Sequence, residues 1–197
     1  MKLPIFPLNT VLFPDGLLPL RVFETRYMDM TRDCLKQDRP FGVCLIREGA
    51  EVGAPAVPET VGCLARITDW DMQQQGVLGL KTRGGQRFRI VSSSVGSRGL
   101  ISAETELIPP EPKIRVPREY DGCTQLLRML VSDQGNAIFA EPHAFDDAAW
   151  VGYRLADILP VPLVAKQKLL ELTDSLQRLA ILQRFLEQRG LAQPEDR

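Results

Sequence analysis

The chain has 197 residues, of which 44% are hydrophobic, 25% charged and 7% aromatic. That length allows one or two domains and a core that needs no disulfide or metal, and the balance excludes a wholly disordered chain. The net charge is -1 and basic and acidic residues are evenly matched on both sides of Pro112, which argues against phosphate binding driven by overall charge and leaves room only for a local basic patch.

The N-terminus, MKLPIFPLNTVLFPDGLLPL, is apolar but is not read as a signal peptide. Prolines 4, 7, 14 and 19 break any hydrophobic helix, and neither a basic leader nor a small-residue cleavage site accompanies it. Residues 22–36 predict a helix, with Phe23, Tyr27, Met30 and Cys34 on one stripe. Residues 40–47 predict a short strand. Residues 61–72 alternate: Val61, Cys63, Ala65 and Ile67 fall on one side, Arg66, Thr68, Trp70 and Met72 on the other. A turn at 73–76 leads into a returning strand over 77–83. Gly84-Gly85 predicts a second hairpin turn, because a two-residue type I′ turn needs positive φ. Strands follow over 86–95, with Phe88 and Ile90 opposite Arg87 and Arg89, and over 99–107.

Four prolines punctuate residues 108–117, which read as a linker. Beyond it the pattern turns helical: 119–133, ended by Gly135; 147–159, capped by Asp146 and stopped by Pro160; 162–172; and 175–189, opened by a capping box of Asp174 and Gln177 and closed by Gly190. The expected organisation is a β-domain over 1–112, a helical domain over 113–190 and a disordered tail over 191–197. Four isolated cysteines form no paired motif, so a reducing, cytoplasmic setting is expected. No apolar run approaches the ~20 residues that cross a bilayer, so no membrane partner is expected.

Three stretches resemble a known family. LPIFPLNTVLFPDGLLPLRVFETRYMDM resembles the opening of the Lon substrate-binding domain, the N-terminal domain of Lon proteases. GCLARITDWD and LKTRGGQRFRI resemble its central strands, and LPVPLVAKQKLLELTDSLQRLAILQRFLEQ resembles its helical close, with the pattern KQ-x-LLE followed by D-x-x-x-RL. The likeness runs over residues 2–189 and is nearest to stand-alone bacterial proteins made only of this domain. It implies an α+β fold: a PUA-like mixed β-pseudobarrel with one inserted helix, followed by a C-terminal α-helical bundle. Two departures are mild. Asp15 stands where glycine is common, and Asp tolerates the left-handed region better than most residues; Thr25 stands where proline is frequent. The sequence carries no G-x-x-x-x-G-K-[ST] phosphate loop, so the ATPase and peptidase activities of Lon are not carried over.

Candidate chemistry is sparse. His143, the single histidine, reads as a loop residue before a helix cap. The Cys and His spacing matches no metal site, so no metal, cofactor or catalytic group is expected. Asp69 and Asp71 share a strand face and read as solvent-facing. Gly76 and Gly79 match a GxxG clamp formally, but in a strand setting they read as turn and strand glycines. The informative set is Trp70, Met72, Lys81, Arg83, Arg87 and Arg89, many of which the expected strand pairing places on the outer face of one sheet. Three uses stay open: packing under the C-terminal helices, contact with a protein partner, and stacking of nucleic-acid bases. The loop around Phe13 and Leu17 is a second candidate patch. The resemblance implies a non-catalytic module that binds unfolded or exposed polypeptide segments; the alternative is a PUA-type RNA-binding protein.

Overall fold

Alternation produces most of the strands, and two interruptions of it shape the sheet. The computed structural model describes residues 1–135 and 138–191, apart from the side chain of Gln73. The expectation for the tail concerns, beyond Leu191, residues outside that description. The chain divides into two compact units, Met1–Pro109 and Pro110–Arg197.

The first unit holds strands β1 (Lys2–Leu8), β2 (Leu17–Val22), β3 (Phe41–Glu48), β4 (Val57–Pro58), β5 (Val61–Gln74), β6 (Val77–Val95) and β7 (Ile101–Leu107), with helix α1 (Thr25–Lys36) between β2 and β3. The sheet runs β1-β7-β6-β5-β3-β4, and β1 also pairs with β3. That last pairing is parallel, Ile5 opposite Gly42, and the others are antiparallel. It closes a hydrogen-bonded ring of β1, β7, β6, β5 and β3. Two separate cores result. Leu3, Ile5, Cys44, Phe88, Ile101 and Ala103 form one. Phe6, Leu8, Phe41, Val43, Cys63, Leu78 and Leu80 belong to the other, with Leu20 and Val22 of β2 and Tyr27, Met30 and Cys34 of α1. Successive residues of β1 and β3 thus feed opposite cores, as a strand buried on both faces must.

The helix expected over 22–36 starts later. Val22 closes β2, and Phe23, expected on the buried stripe, is an exposed residue ahead of the helix. The stripe is carried by Tyr27, Met30 and Cys34. Asp15 has a φ of 60°, so the turn does adopt the left-handed region there.

Gly84-Gly85 is not a hairpin turn. β6 runs straight through it, and the turn is at Gly76, with a φ of 81°. Cys63 faces Arg87 and Ala65 faces Gly84, so two residues of β5 span three of β6. This is a β-bulge, which reverses the alternation of β6. Leu78 and Leu80 therefore point into one core and Phe88 into the other.

The second unit has a short 3₁₀ turn (Arg118–Tyr120) and helices α2 (Asp121–Gln134), α3 (Ala148–Ile158), α4 (Leu163–Glu171) and α5 (Ser175–Gln188). Asp147, not Asp146, caps α3, accepting from the N–H groups of Ala149 and Trp150. Asp174 caps α5 in the same way. Each such cap contributes about 1 kcal/mol. The proline-rich stretch read as a linker is tied down within this unit: Ala148 N–H donates to Ile114 O, and Val116 N–H to Asp146 O.

Candidate partner-binding surface

Register decides which side chains share a face. On β2, β6 and β5, Leu17, Arg83 and Arg66 stand in one row, and Pro19, Lys81 and Asp69 in the next but one. The rows that alternate with these are Leu18 with Thr82 and Ile67, and Leu20 with Leu80 and Trp70. Ile67 pairs with Thr82 and Asp69 with Lys81, so β5 carries an extra residue at Thr68. That second bulge shifts the phase of β5 by one.

The shift corrects the sequence reading. Trp70 does not share a face with Lys81 and Arg83. It stands opposite Leu80, on the face of Ile67, Leu80 and Leu20, which elsewhere packs into the core, and Met72 follows it ahead of a further register shift between Asp71 and Gln74. Both are nonetheless 54% exposed. The apolar face of this sheet therefore continues into solvent at Trp70.

The remaining candidates separate. Arg83 is half-buried and paired to Asp15, with Nη2 to Oδ1 at 2.7 Å. Arg87 is 3% exposed, because the bulge at Gly84 turns it to the same face as Cys63. Arg89 is exposed, in register with Glu106. Phe13 is fully buried and so presents nothing to a partner; Leu17 is half-buried. These candidates do not come together as one platform: Trp70 stands opposite Leu80, and Arg83 is in the row of Leu17 and Arg66.

Sequence reasoning missed a groove. A cleft of about 390 Å³ runs along β2, lined by its residues 18–22, by Phe6, Leu8, Phe23, Tyr27 and Val52, and by the polar Thr10, Glu24 and Glu51. The rings of Phe6 and Tyr27 stack at 3.9 Å against one another. Its signal in the sequence was the apolar stretch that opens the chain.

Among the described residues, the titratable groups with shifted equilibria include Asp69 in the first unit and Asp157 in the second. Asp69 is held below the usual carboxylate range by the hydrogen bond and charge of Lys81, with Nζ to Oδ2 at 2.9 Å. Such a group stays ionised and serves poorly as an acid. In the second unit Asp157 is pushed up by burial, against the opposing pull of Arg154 and Lys166. Lys166 Nζ donates to the Asp157 carbonyl near the end of α3, a structural cap. His143 sits among the rings of Phe145 and Trp150. Among the described residues no group of three or more His, Cys, Asp or Glu is placed to hold a metal ion, and no helix is long and apolar enough to cross a membrane.

All four cysteines are buried free thiols. Burial pushes Cys44 well up and Cys123 up to about 12. The thiolate is the reactive form, so these are poor nucleophiles. A disulfide-exchange reagent at about pH 8 should leave Cys44 and Cys123 unmodified while the protein is folded. After denaturation all four thiols should react. Rapid native modification of Cys123 would contradict its placement.

The comparisons agree with this architecture. The family model for the ATP-dependent protease La (LON) substrate-binding domain matches residues 2–188. Lon protease 1 of Bdellovibrio bacteriovorus is 28% identical over 95% of this chain and 26% of its own length. Lon protease 2 of Herpetosiphon aurantiacus is 26% identical over 95% of this chain and 24% of its own. The chain thus spans about a quarter of the proteases it matches. The crystal structure of a Lon N-terminal domain protein from Xanthomonas campestris superposes with a TM-score of 0.78 at 38% identity, covering 94% of this chain and 98% of that one. The N-terminal domain of a Mycobacterium avium complex Lon protease shares the fold, with a TM-score of 0.63 at 17% identity over 92% of this chain and 96% of that one. A mixed α+β chain with a large, mainly antiparallel sheet and a helical second unit, matched over nearly its whole length in this way, belongs to the Lon substrate-binding domain family.

Proposed function

We propose that this chain is a non-catalytic recognition module that binds exposed apolar segments of other polypeptides. The observation that carries the reading is exposed Trp70 on a sheet face that is core elsewhere, with Met72, equally exposed, close by in the chain. Family membership supports a substrate-recognition role, and the ring of five strands supports a PUA-like pseudobarrel as its scaffold. The surface is apolar rather than cationic, so it favours polypeptide over RNA. Base stacking would require Trp70 beside arginines, and the bulge at Thr68 puts it on the other face from Arg83.

Fluorescence anisotropy against a labelled, reduced and carboxymethylated polypeptide tests the reading, with single-stranded RNA in a parallel arm. Saturable polypeptide binding that persists in salt is expected. Trp70→Ala with Met72→Ala should weaken it by about tenfold or more, since large desolvated apolar anchors dominate such contacts. Both side chains are exposed, so the fold should survive. Failure of the folded protein to bind, or salt-sensitive binding of RNA alone, would overturn the proposal.

A further inference from the structure

β2 is a strand with one open edge. It pairs with β6 along Leu17–Val22 and with no other strand among the described residues. Its backbone direction can be read from one side-chain contact. Thr82 Oγ1 on β6 donates to Leu18 O at 2.8 Å, so the Leu18 carbonyl faces β6. In an antiparallel pair the N–H and C=O of one residue point the same way, and successive residues alternate. Leu18, Leu20 and Val22 therefore turn their main-chain groups to β6. Leu17, Pro19 and Arg21 turn theirs outward. Pro19 fits this assignment, because proline is tolerated where its missing N–H would have faced away from the sheet.

The groove follows this edge. Five consecutive residues of β2 line it, with Phe6, Leu8, Tyr27 and Val52. A strand laid against the open edge would bond to Arg21 N–H and to the outward carbonyls. Its alternate side chains would fall on the face of Leu18, Leu20 and Val22, into the groove. We infer that the open edge of β2 and its groove dock an extended polypeptide segment by strand addition, with an apolar side chain seated among Phe6, Leu8 and Tyr27. This rests on the proposed recognition of polypeptides and states how the chain is held. The combination suits a ligand of varied sequence, since main-chain bonds supply affinity that no side chain dictates. A second copy of this chain fits less well. Two β2 edges meeting at their centres would bring Pro19 against Pro19 and forfeit the middle hydrogen bonds.

Amide hydrogen exchange by NMR, with the reduced, carboxymethylated polypeptide as probe, tests the inference. At saturation the Arg21 amide should slow by about tenfold or more, while the amides of Leu18 and Leu20, already bonded to β6, should change little. Val52→Glu, at an exposed position on the groove wall, should weaken binding by about tenfold by placing a charge against the seated side chain. Retained binding with an unchanged Arg21 amide and a neutral Val52→Glu would overturn strand addition and leave the broader reading standing. Slowing that depends on protein concentration without the probe would assign the edge to a second copy and overturn it too. A folded protein that binds no polypeptide would overturn both readings.

Discussion

Arg178→Ala is expected to cost about 4 kcal/mol, the usual range for removing one member of a buried charge pair. Arg178 is 0% and Glu111 3% exposed at the side chain. The guanidinium donates to both Glu111 oxygens, at 2.9 and 2.6 Å, and to the carbonyls of Leu169 and Leu172, at 2.9 and 2.6 Å. It also lies 4.0 Å over the ring of Tyr153, whose hydroxyl donates to Glu111 at 2.5 Å. One side chain thus ties the end of α4 and the segment before the 3₁₀ turn to α3 and α5. Alanine would leave the buried Glu111 carboxylate without its cation and would remove a donor from two carbonyls. The urea midpoint should fall with little change in slope. Glu111→Leu combined with Arg178→Met should recover a substantial part of the loss, because an apolar replacement leaves no unpaired charge. A loss under about 1 kcal/mol for Arg178→Ala would mean that the network is not formed in solution.

This network also shows where sequence reading stops. Asp174 was legible as a cap, because its partners lie two and three residues on. Arg178 was legible only as a letter in the D-x-x-x-RL pattern. Its carboxylate partner is 67 residues away in a proline-rich stretch that reads as a linker. The strands of the first unit were legible from alternation, but the bulges were not. Their trace was present: apolar positions of β5 run Val61, Cys63, Ala65, Ile67 and then Trp70, Met72, a change from odd to even. Read as simple alternation, that change sent Trp70 to the wrong face. Read as a bulge, it puts Trp70 on the face of Ile67 and Leu80, where the structure has it. Arg87 was misplaced for the same reason, since a basic residue in an alternating strand reads as solvent-facing. The groove was hidden for a different one. Apolar residues that line a cleft and those that fill a core carry the same sequence signature, and only the missing neighbour of β2 separates them.

The paired glycines at 84 and 85 give the second large expected effect, and the two should behave oppositely. If they formed a type I′ turn, both would need positive φ and both would resist alanine. Neither is among the positive-φ glycines, so conformational freedom is not what either supplies. Space is. A Cβ on Gly84 would meet Phe13 O at 2.0 Å, whereas one on Gly85 would find its nearest neighbour, Leu64 Cβ, at 3.4 Å. The close approach at Gly84 is held from both sides: Gly84 N–H donates to Gly16 O at 2.8 Å, and Asp15 N–H to Gly84 O at 2.9 Å. The obstructing atom is backbone, so no side chain can swing away. Gly84→Ala must push the Phe13–Gly16 turn off β6, breaking those two bonds and dislodging the buried Phe13 ring. The expected cost is about 3 kcal/mol, at the upper end for overpacking. Gly85→Ala should stay within about 0.5 kcal/mol of the parent in either direction, its slight crowding offset by the lower entropy of the unfolded chain. Denaturant midpoints of the two variants, measured side by side, decide the matter. Equal losses would restore the hairpin reading, and a loss confined to Gly84 would establish that the bulge exists to let the N-terminal turn touch the sheet.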